Sequence, residues 1–300
     1  MAGSSQIQGG KQDPVSFTKM AGGGNDFVVI DNRSGRIGEA AALTRRICTR
    51  ALSVGADGLI LIENSTRASF RMRYYNSDGS LGEFCGNGTR CAARFASVNG
   101  IAGRQMTIET DAGIVEAEVD EKAVVITMPQ PASFRAERPL RIDDTTVQGS
   151  SITVGVPHYV TFAGDDLFSR DIVPTGRAIR LHRELQPAGA NANFVFVRNK
   201  HAIEVRTYER GVEAETLSCG SGVVASATVS ALSGKVSSPV SVLTRSGITL
   251  AVSFTLDGGV VRNVRLKGDA RLIYSASVTP ETLEGFDPDF VRDPASRVLS

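Results

Sequence analysis

The sequence predicts an α+β protein of two pseudo-twofold-related domains. Each is a curved, mostly antiparallel sheet or barrel around a central helix, with the candidate active site in the cleft between them. Three observations predict it. The chain writes Cys-Gly-x-Gly twice, as Cys85-Gly86-Asn87-Gly88 and Cys219-Gly220-Ser221-Gly222, and each copy opens a small-residue stretch with helical character. The 134-residue offset between the copies also holds beyond them. Gly55-Ala56-Asp57-Gly58 lands on Gly189-Ala190-Asn191-Ala192, Tyr74 on Tyr208, and Thr110 with Gly113-Ile114 on Thr244 with Gly247-Ile248. A register kept without insertion is the mark of a duplicated unit. Finally, short alternating apolar runs outnumber helical segments, which favours antiparallel sheet over alternating βα units.

In chain order, residues 1–16 are rich in Gly, Ser and Gln and are expected to be a disordered tail. The first half, 17–130, offers strand-like runs at Phe27–Ile30, Leu59–Ile62, Phe70–Tyr75, Ile114–Val119 and Val124–Met128. Helical periodicity is confined to Glu39–Ala51 and Thr89–Val98. Pro129-Gln130-Pro131 marks the expected hinge. The second half, 131–269, repeats the scheme with strands at Tyr159–Phe162, Asn193–Val197, Ile203–Tyr208, Ile248–Phe254 and Val260–Leu266, and helices at Gly176–Glu184 and Gly222–Leu232. A strand near 270–278 is expected to return and complete the first half. The acidic, proline-containing segment 279–300 has no counterpart in the repeat and reads as a surface appendage.

At 300 residues, each half is large enough for its own core. A net charge of +1 gives no electrostatic case for nucleic acid or anionic membranes. No apolar run approaches the roughly 20 residues that span a bilayer, and the polar start Met1–Pro14 is not a signal peptide. The expected address is the cytoplasm, where Cys48, Cys85, Cys91 and Cys219 stay reduced. A structural metal is not expected. Cys85 and Cys91 are too far apart for paired-ligand spacing, and His158, His182 and His201 form no cluster.

A Cys-Gly-x-Gly at a helix start supplies unpaired N–H groups, close backbone approach for an anion, and a positive field that favours thiolate. For a lone cysteine the default is a small buried hydrophobe. Duplication in matching glycine contexts argues for more. Two such thiols about a twofold suit removal of a proton from a carbon beside a carboxylate and its return to the opposite face, with N–H donors taking the charge that moves onto the carboxylate. Thiol hydrolysis would need a base, and His158 has no recognisable Cys/His/Asn setting. None of the six lysines sits in a pyridoxal context, although Lys19 lies near the glycine loop.

The motifs Phe17-Thr18-Lys19-Met20, Gly24-Asn25-Asp26-Phe27, Gly55-Ala56-Asp57-Gly58, Asn76-Ser77-Asp78-Gly79-Ser80, Cys85 to Cys91, Pro157-His158, Asn191-Ala192-Asn193-Phe194, Glu209-Arg210-Gly211 and Glu215 to Gly220 stand in one order. Together they resemble the diaminopimelate epimerase family over about residues 17 to 275. The resemblance implies a two-thiol epimerase of LL- and meso-diaminopimelate, without metal or organic cofactor. It implies Cys85 and Cys219 as the acid/bases, and Gly86, Asn87, Gly220 and Ser221 as holders of the reacting carboxylate through amides and side chains. Glu209 takes the ammonium and, with His158, tunes the thiols, while Asn25, Asn76, Asn191 and Arg210 hold the distal amino-acid head. Arg90 alone of the motif residues is expected to be a surface charge. The partner implied is a small-molecule amino acid; a homodimer stays open.

The chain departs from the family wording at several places. Ala21-Gly22-Gly23 replaces His-Gly-Leu or similar and is expected to loosen the loop before Asn25. Val156 stands where an Asn often serves the distal head, Ser218 and Ser221 are mild swaps, and Val212 to Glu215 holds one extra residue. Loss of a polar group at Val156 would weaken discrimination. A racemase of another amino acid on the same fold is therefore one alternative, and a non-catalytic amino-acid-binding protein is another.

Overall fold

A computed structural model describes residues 14–82 and 84–292. The expectations for residues 1–13 of the tail and 293–300 of the last segment lie outside the described residues.

The first unit runs β1 (Ser16–Gly22), β2 (Asn25–Asp31), α1 (Ala40–Ile47), β3 (Gly58–Glu63), β4 (Phe70–Asn76), β5 (Leu81–Gly82), α2 (Gly86–Val98), β6 (Gln105–Thr110), β7 (Gly113–Asp120) and β8 (Ala123–Thr127). After β9 (Ala132–Arg135) and the small hairpin β10 (Leu140–Ile142) and β11 (Thr145–Val147) comes β12 (Ser150–Val154). The second unit then follows: β13 (Val156–Phe162), α3 (Val173–Leu181), β14 (Asn191–Asn199), β15 (Ala202–Glu209), β16 (Ala214–Thr216), α4 (Gly220–Leu232), β17 (Val240–Thr244), β18 (Thr249–Asp257) and β19 (Val260–Asp269). The described residues close with β20 (Arg271–Ser277), a short 3-10 turn, and α5 (Pro288–Arg292).

The duplication is visible element by element. In each unit a helix crosses between two parallel strands, β2 to β3 and β13 to β14. A second helix carries the chain from β4 to its parallel neighbour β6, and from β15 to β17. The remaining pairings are antiparallel. The units share a seam where β8 pairs with β19, and in the connection between them β9 pairs with β12. β20 returns to pair with β1 of the first unit. The strands therefore join into one continuous 18-stranded sheet around two helices.

Those two helices are the core. Both α2 and α4 are 13 residues long. In α4, Val223, Val224, Ala225, Ala227 and Val229 are all buried, the pattern of a helix surrounded on every side. Small residues let both helices approach the wall strands closely. α2 packs on Phe27, Ile60 and Ile126, α4 on Val195, Val205 and Val242, and all belong to one apolar cluster that runs through both units. The outer helices α1 and α3 cover separate, smaller clusters.

The described part of the last segment lies against α1. The Arg46 guanidinium donates to the Leu283 and Phe286 carbonyls at 2.7 and 3.2 Å, and Ser53 Oγ donates to Thr282 O at 2.7 Å.

Candidate active site

Cys85 and Cys219 occupy equivalent places, each in extended backbone immediately before its central helix (φ −138°, ψ 104° and φ −118°, ψ 111°). The Gly88 N–H donates to Cys85 Sγ at 3.4 Å, and Cys219 Sγ lies 3.5 Å from Ser221 Oγ. The two helix starts meet: a β-carbon on Gly220 would stand 3.9 Å from Gly86 Cα and 4.0 Å from Asn87 Oδ1. First-turn amides have no acceptor inside their own helix, so two sets of donors converge on one place. Such a convergence of donors suits an anion, and a cysteine precedes each of the two helices.

Burial pushes both thiols up, Cys85 to about 11 and Cys219 to about 12, against the helix-start N–H donors that draw them down. The Glu209 carboxylate, at the end of β15, raises both. Burial in turn holds the Glu209 carboxyl above the ordinary carboxylate range, opposed by the Thr216 and Cys219 side chains that face it.

His158 is fully buried in β13. Its Nδ1 accepts from Asn193 Nδ2 at 3.2 Å, which leaves the proton on Nε2, an atom buried without a hydrogen-bond partner. Burial, and then Arg210, holds its pKa down to about 3, so the ring is neutral. Asn193 is itself fixed by Thr207 Oγ1 and by the Tyr159 carbonyl. Gly222 must be glycine here, because a β-carbon would lie 2.4 Å from Asn193 Oδ1.

The residues expected at the distal head fall into two groups. Asn191 Oδ1 accepts from the Arg210 N–H at 2.7 Å, and Arg210 Nη1 donates to Ala188 O at 2.9 Å. On the other side, Asn25 Nδ2 donates to Asp57 Oδ2 at 2.9 Å, and Asn25 Oδ1 accepts from Asn87 Nδ2 at 2.7 Å. Asn76 ends β4 opposite Gly58 and donates to Ser80 Oγ at 3.1 Å. Val156 opens β13.

Two expectations need correction. Arg90 is not a surface charge but fully buried, donating to Asn87 Oδ1 at 2.7 Å and to the Gly86 and Asp269 carbonyls at 3.3 and 3.2 Å. It stands three residues after Asn87 on the same helix face, which turns it inward. The Asn87 side chain accepts from Arg90 at Oδ1 and donates one of its two Nδ2 hydrogens to Asn25. The Ala21-Gly22-Gly23 loop is not loosened either. Gly23 and Gly24, at φ +61° and +98°, make a two-residue hairpin turn between β1 and β2. Asp269 pins it by accepting from the Gly23 N–H at 2.9 Å.

Sequence reasoning assigned no role to Asn193 or Asp269. The signal for Asn193 was a polar residue inside the apolar run Ala192 to Val195, where a buried amide requires partners. Asp269 gave none, since its partner lies at the other end of the chain.

Solved structures share the duplicated fold. A phenazine biosynthesis protein of the PhzF family from Bacillus anthracis superimposes with a TM-score of 0.69 at 16% identity, over 89% of this chain and 100% of that one. A probable proline racemase from Agrobacterium radiobacter does so at 0.67 and 16%, over 92% and 95%. The class is thus the two-unit α+β fold of these proteins, here with a cysteine before each central helix. The diaminopimelate epimerase family model matches residues 17–134 and 150–270, and the chain belongs to that family of isomerases. The diaminopimelate epimerase of Aquifex aeolicus is 43% identical over 282 residues, covering 90% of this chain and 100% of the relative. That of Chlorobaculum tepidum is 41% identical over 268 residues, covering 87% and 100%.

Proposed function

We propose that this protein interconverts LL-2,6-diaminopimelate and meso-diaminopimelate by proton transfer between two thiols, in the cytoplasm, on the route to lysine and peptidoglycan precursors. The observation that carries the reading is the meeting of the two Cys-Gly helix starts, where a β-carbon on Gly220 would stand 3.9 Å from Gly86 Cα. A carboxylate held by the amides of Gly86, Asn87, Gly220 and Ser221 has its α-carbon between Cys85 and Cys219. One sulfur, as thiolate, takes the α-proton. The C–H electron pair passes into the carboxylate, where the converging N–H groups stabilise it. The other sulfur, as thiol, gives its proton to the opposite face and becomes the thiolate. No oxidant, reductant or group transfer is required.

Glu209 receives the substrate ammonium and keeps negative charge beside both sulfurs. Neutral His158 offers its Nε2–H to the site. Arg210 takes the distal carboxylate, with Asn25, Asn76 and Asn191 around the distal ammonium, so a substrate with two amino-acid heads fits better than a single-headed one. The two catalytic halves are 17–130, completed by the strand at 270–278, and 131–269. The small amino acid is the partner expected, with a homodimer as the assembly to look for.

The direct experiment is conversion of LL-diaminopimelate in deuterium oxide. The expected result is meso product with one deuterium at the inverted carbon. Absence of exchange would sink the catalytic reading in favour of a binding protein. Faster exchange on a single-headed amino acid would replace the substrate and keep the mechanism.

A further inference from the structure

Arg90 carries a charge the mechanism above does not use. It is fully buried, and among the described residues no carboxylate forms an ion pair with it; its three partners are neutral oxygens of Asn87, Gly86 and Asp269. The backbone of β19 closes over it, so that a β-carbon on Gly268 would stand 2.8 Å from Nε and 2.9 Å from Cζ. An arginine does not shed its proton to escape such a place. A buried unpaired cation is unfavourable unless negative charge gathers nearby. The groups that favour its charge are Cys91 beside it on α2, the Asp269 carboxylate at the end of β19, and Cys85 at the start of α2.

The duplication makes the point sharper. At the 134-residue offset, Arg90 corresponds to Val224, which is fully buried in α4. Two near-identical helix starts therefore carry a cation behind one thiol and an isopropyl group behind the other. Cys85 is faced by Arg90 and the Gly88 amide from α2, by Glu209 from β15, by Tyr74 from β4 and by Cys219 across the gap. Cys219 is faced by Glu209, Ser221, the Gly222 amide and Cys85, with no cation among them.

We propose that Arg90 is a positioning residue that makes the paired thiols unequal: its guanidinium fixes Asn87 and biases the single thiolate of the site onto Cys85. The proposal rests on the two-thiol reading above. The direction of the Cys85 pKa agrees, since Arg90 draws it down against burial.

The test is an ultraviolet thiolate titration of the Cys219→Ala and Cys85→Ala proteins, which leave Cys85 and Cys219 respectively. Cys48 and Cys91 are common to both and are pushed up by burial. Cys85 is expected to ionise at the lower pH. Arg90→Met added to Cys219→Ala should raise the Cys85 midpoint by about one pH unit or more. Arg90→Lys, which keeps the charge, should restore most of it. The same changes should move Cys219 far less, and with both thiols present Arg90→Met should carry the acid limb of kcat/KM upward. Cys219 ionising first, or together with Cys85, overturns the proposal without any Arg90 variant having to fold. A Cys85 midpoint unmoved in a normally melting Arg90→Met protein overturns it as well. The titration contains no substrate, so inactivity on diaminopimelate would count against the substrate assignment alone.

Discussion

Two glycines two residues apart, Gly220 and Gly222, should respond oppositely to the same methyl group. At Gly222 the added β-carbon meets Asn193 Oδ1 at 2.4 Å and Thr207 Oγ1 at 3.1 Å. Neither can withdraw freely, because Asn193 also holds His158 and the Tyr159 and Asn191 carbonyls. Overpacking of this kind costs about 1–3 kcal/mol, or a melting temperature lower by roughly 2–5 °C in a chain of this size. At Gly220 the nearest atom is Leu266 Cδ2 at 3.4 Å, ordinary contact, and the residue opens α4 with no positive φ. Gly220→Ala should therefore keep or gain stability, by about 0.4–1 kcal/mol through the unfolded chain. Its methyl would instead project toward Gly86, into the proposed carboxylate site, and lower turnover by about 10–10²-fold through misplacement. Thermal melts beside a diaminopimelate conversion assay read both. A Gly222→Ala protein that melts like wild type, or a Gly220→Ala protein with full turnover, would refute this account of the two helix starts.

Cys85→Ala and Cys219→Ala should each reduce epimerisation by about 10²–10⁴-fold, whereas Cys48→Ala and Cys91→Ala should leave most of it; near-normal turnover without Cys219 is the damaging result. His158 is neutral in the folded protein down to about pH 3, while in the unfolded chain it binds a proton from about pH 6.5. Its contribution is thus present above that pH and lost as pH falls, by up to about 4–5 kcal/mol near pH 3; Glu209, with its raised pKa, acts in the opposite sense. His158→Asn should flatten the acid side of the melting-temperature profile, and an unchanged slope would contradict the burial argument. Arg210→Met should cripple the diaminopimelate reaction with an unchanged melt, because a distal carboxylate would lose its charged partner. Mild oxidant should inactivate the protein reversibly through a Cys85–Cys219 link, and peptide mapping that finds only Cys85 joined to Cys91 would count against facing thiols.

The long alternating runs and the duplicated register were legible because hydrophobic periodicity and spacing survive in one dimension. Both central helices were placed, but their starts at Gly86 and Gly220 lie earlier than the predicted Thr89 and Gly222. Glycines read as loop, yet here they form the first turn, each run following a cysteine in extended backbone. β6 and β17 were not read, being short runs whose parallel partners β4 and β15 lie across a helical crossover. Arg90 was misread for a related reason. Its identity says charge, and its burial depends on Gly268 in β19, which no local window contains.

What the offset conserves and what it lets diverge follow the symmetry of the proposed reaction. Cys85 pairs with Cys219, and Gly86 and Gly88 with Gly220 and Gly222. In the proposed reaction the two cysteines flank the α-carbon, and Gly86 and Gly220 face its carboxylate, where inversion requires equivalent groups on both faces. The other positions differ at the same offset. Tyr75 corresponds to Glu209, Asn76 to Arg210, Asp57 to Asn191, and Arg90 to Val224. A substrate with one ammonium at the reacting carbon and one distal arm cannot present the same surface to both units. In the proposed reaction the residues that meet those parts break the twofold with charge, a carboxylate and a guanidinium at the end of β15, and Arg90 breaks it again beneath α2 without touching substrate. Restoring symmetry at one of them, as in Arg90→Val, should therefore disturb the thiol pair more than its volume change alone would suggest.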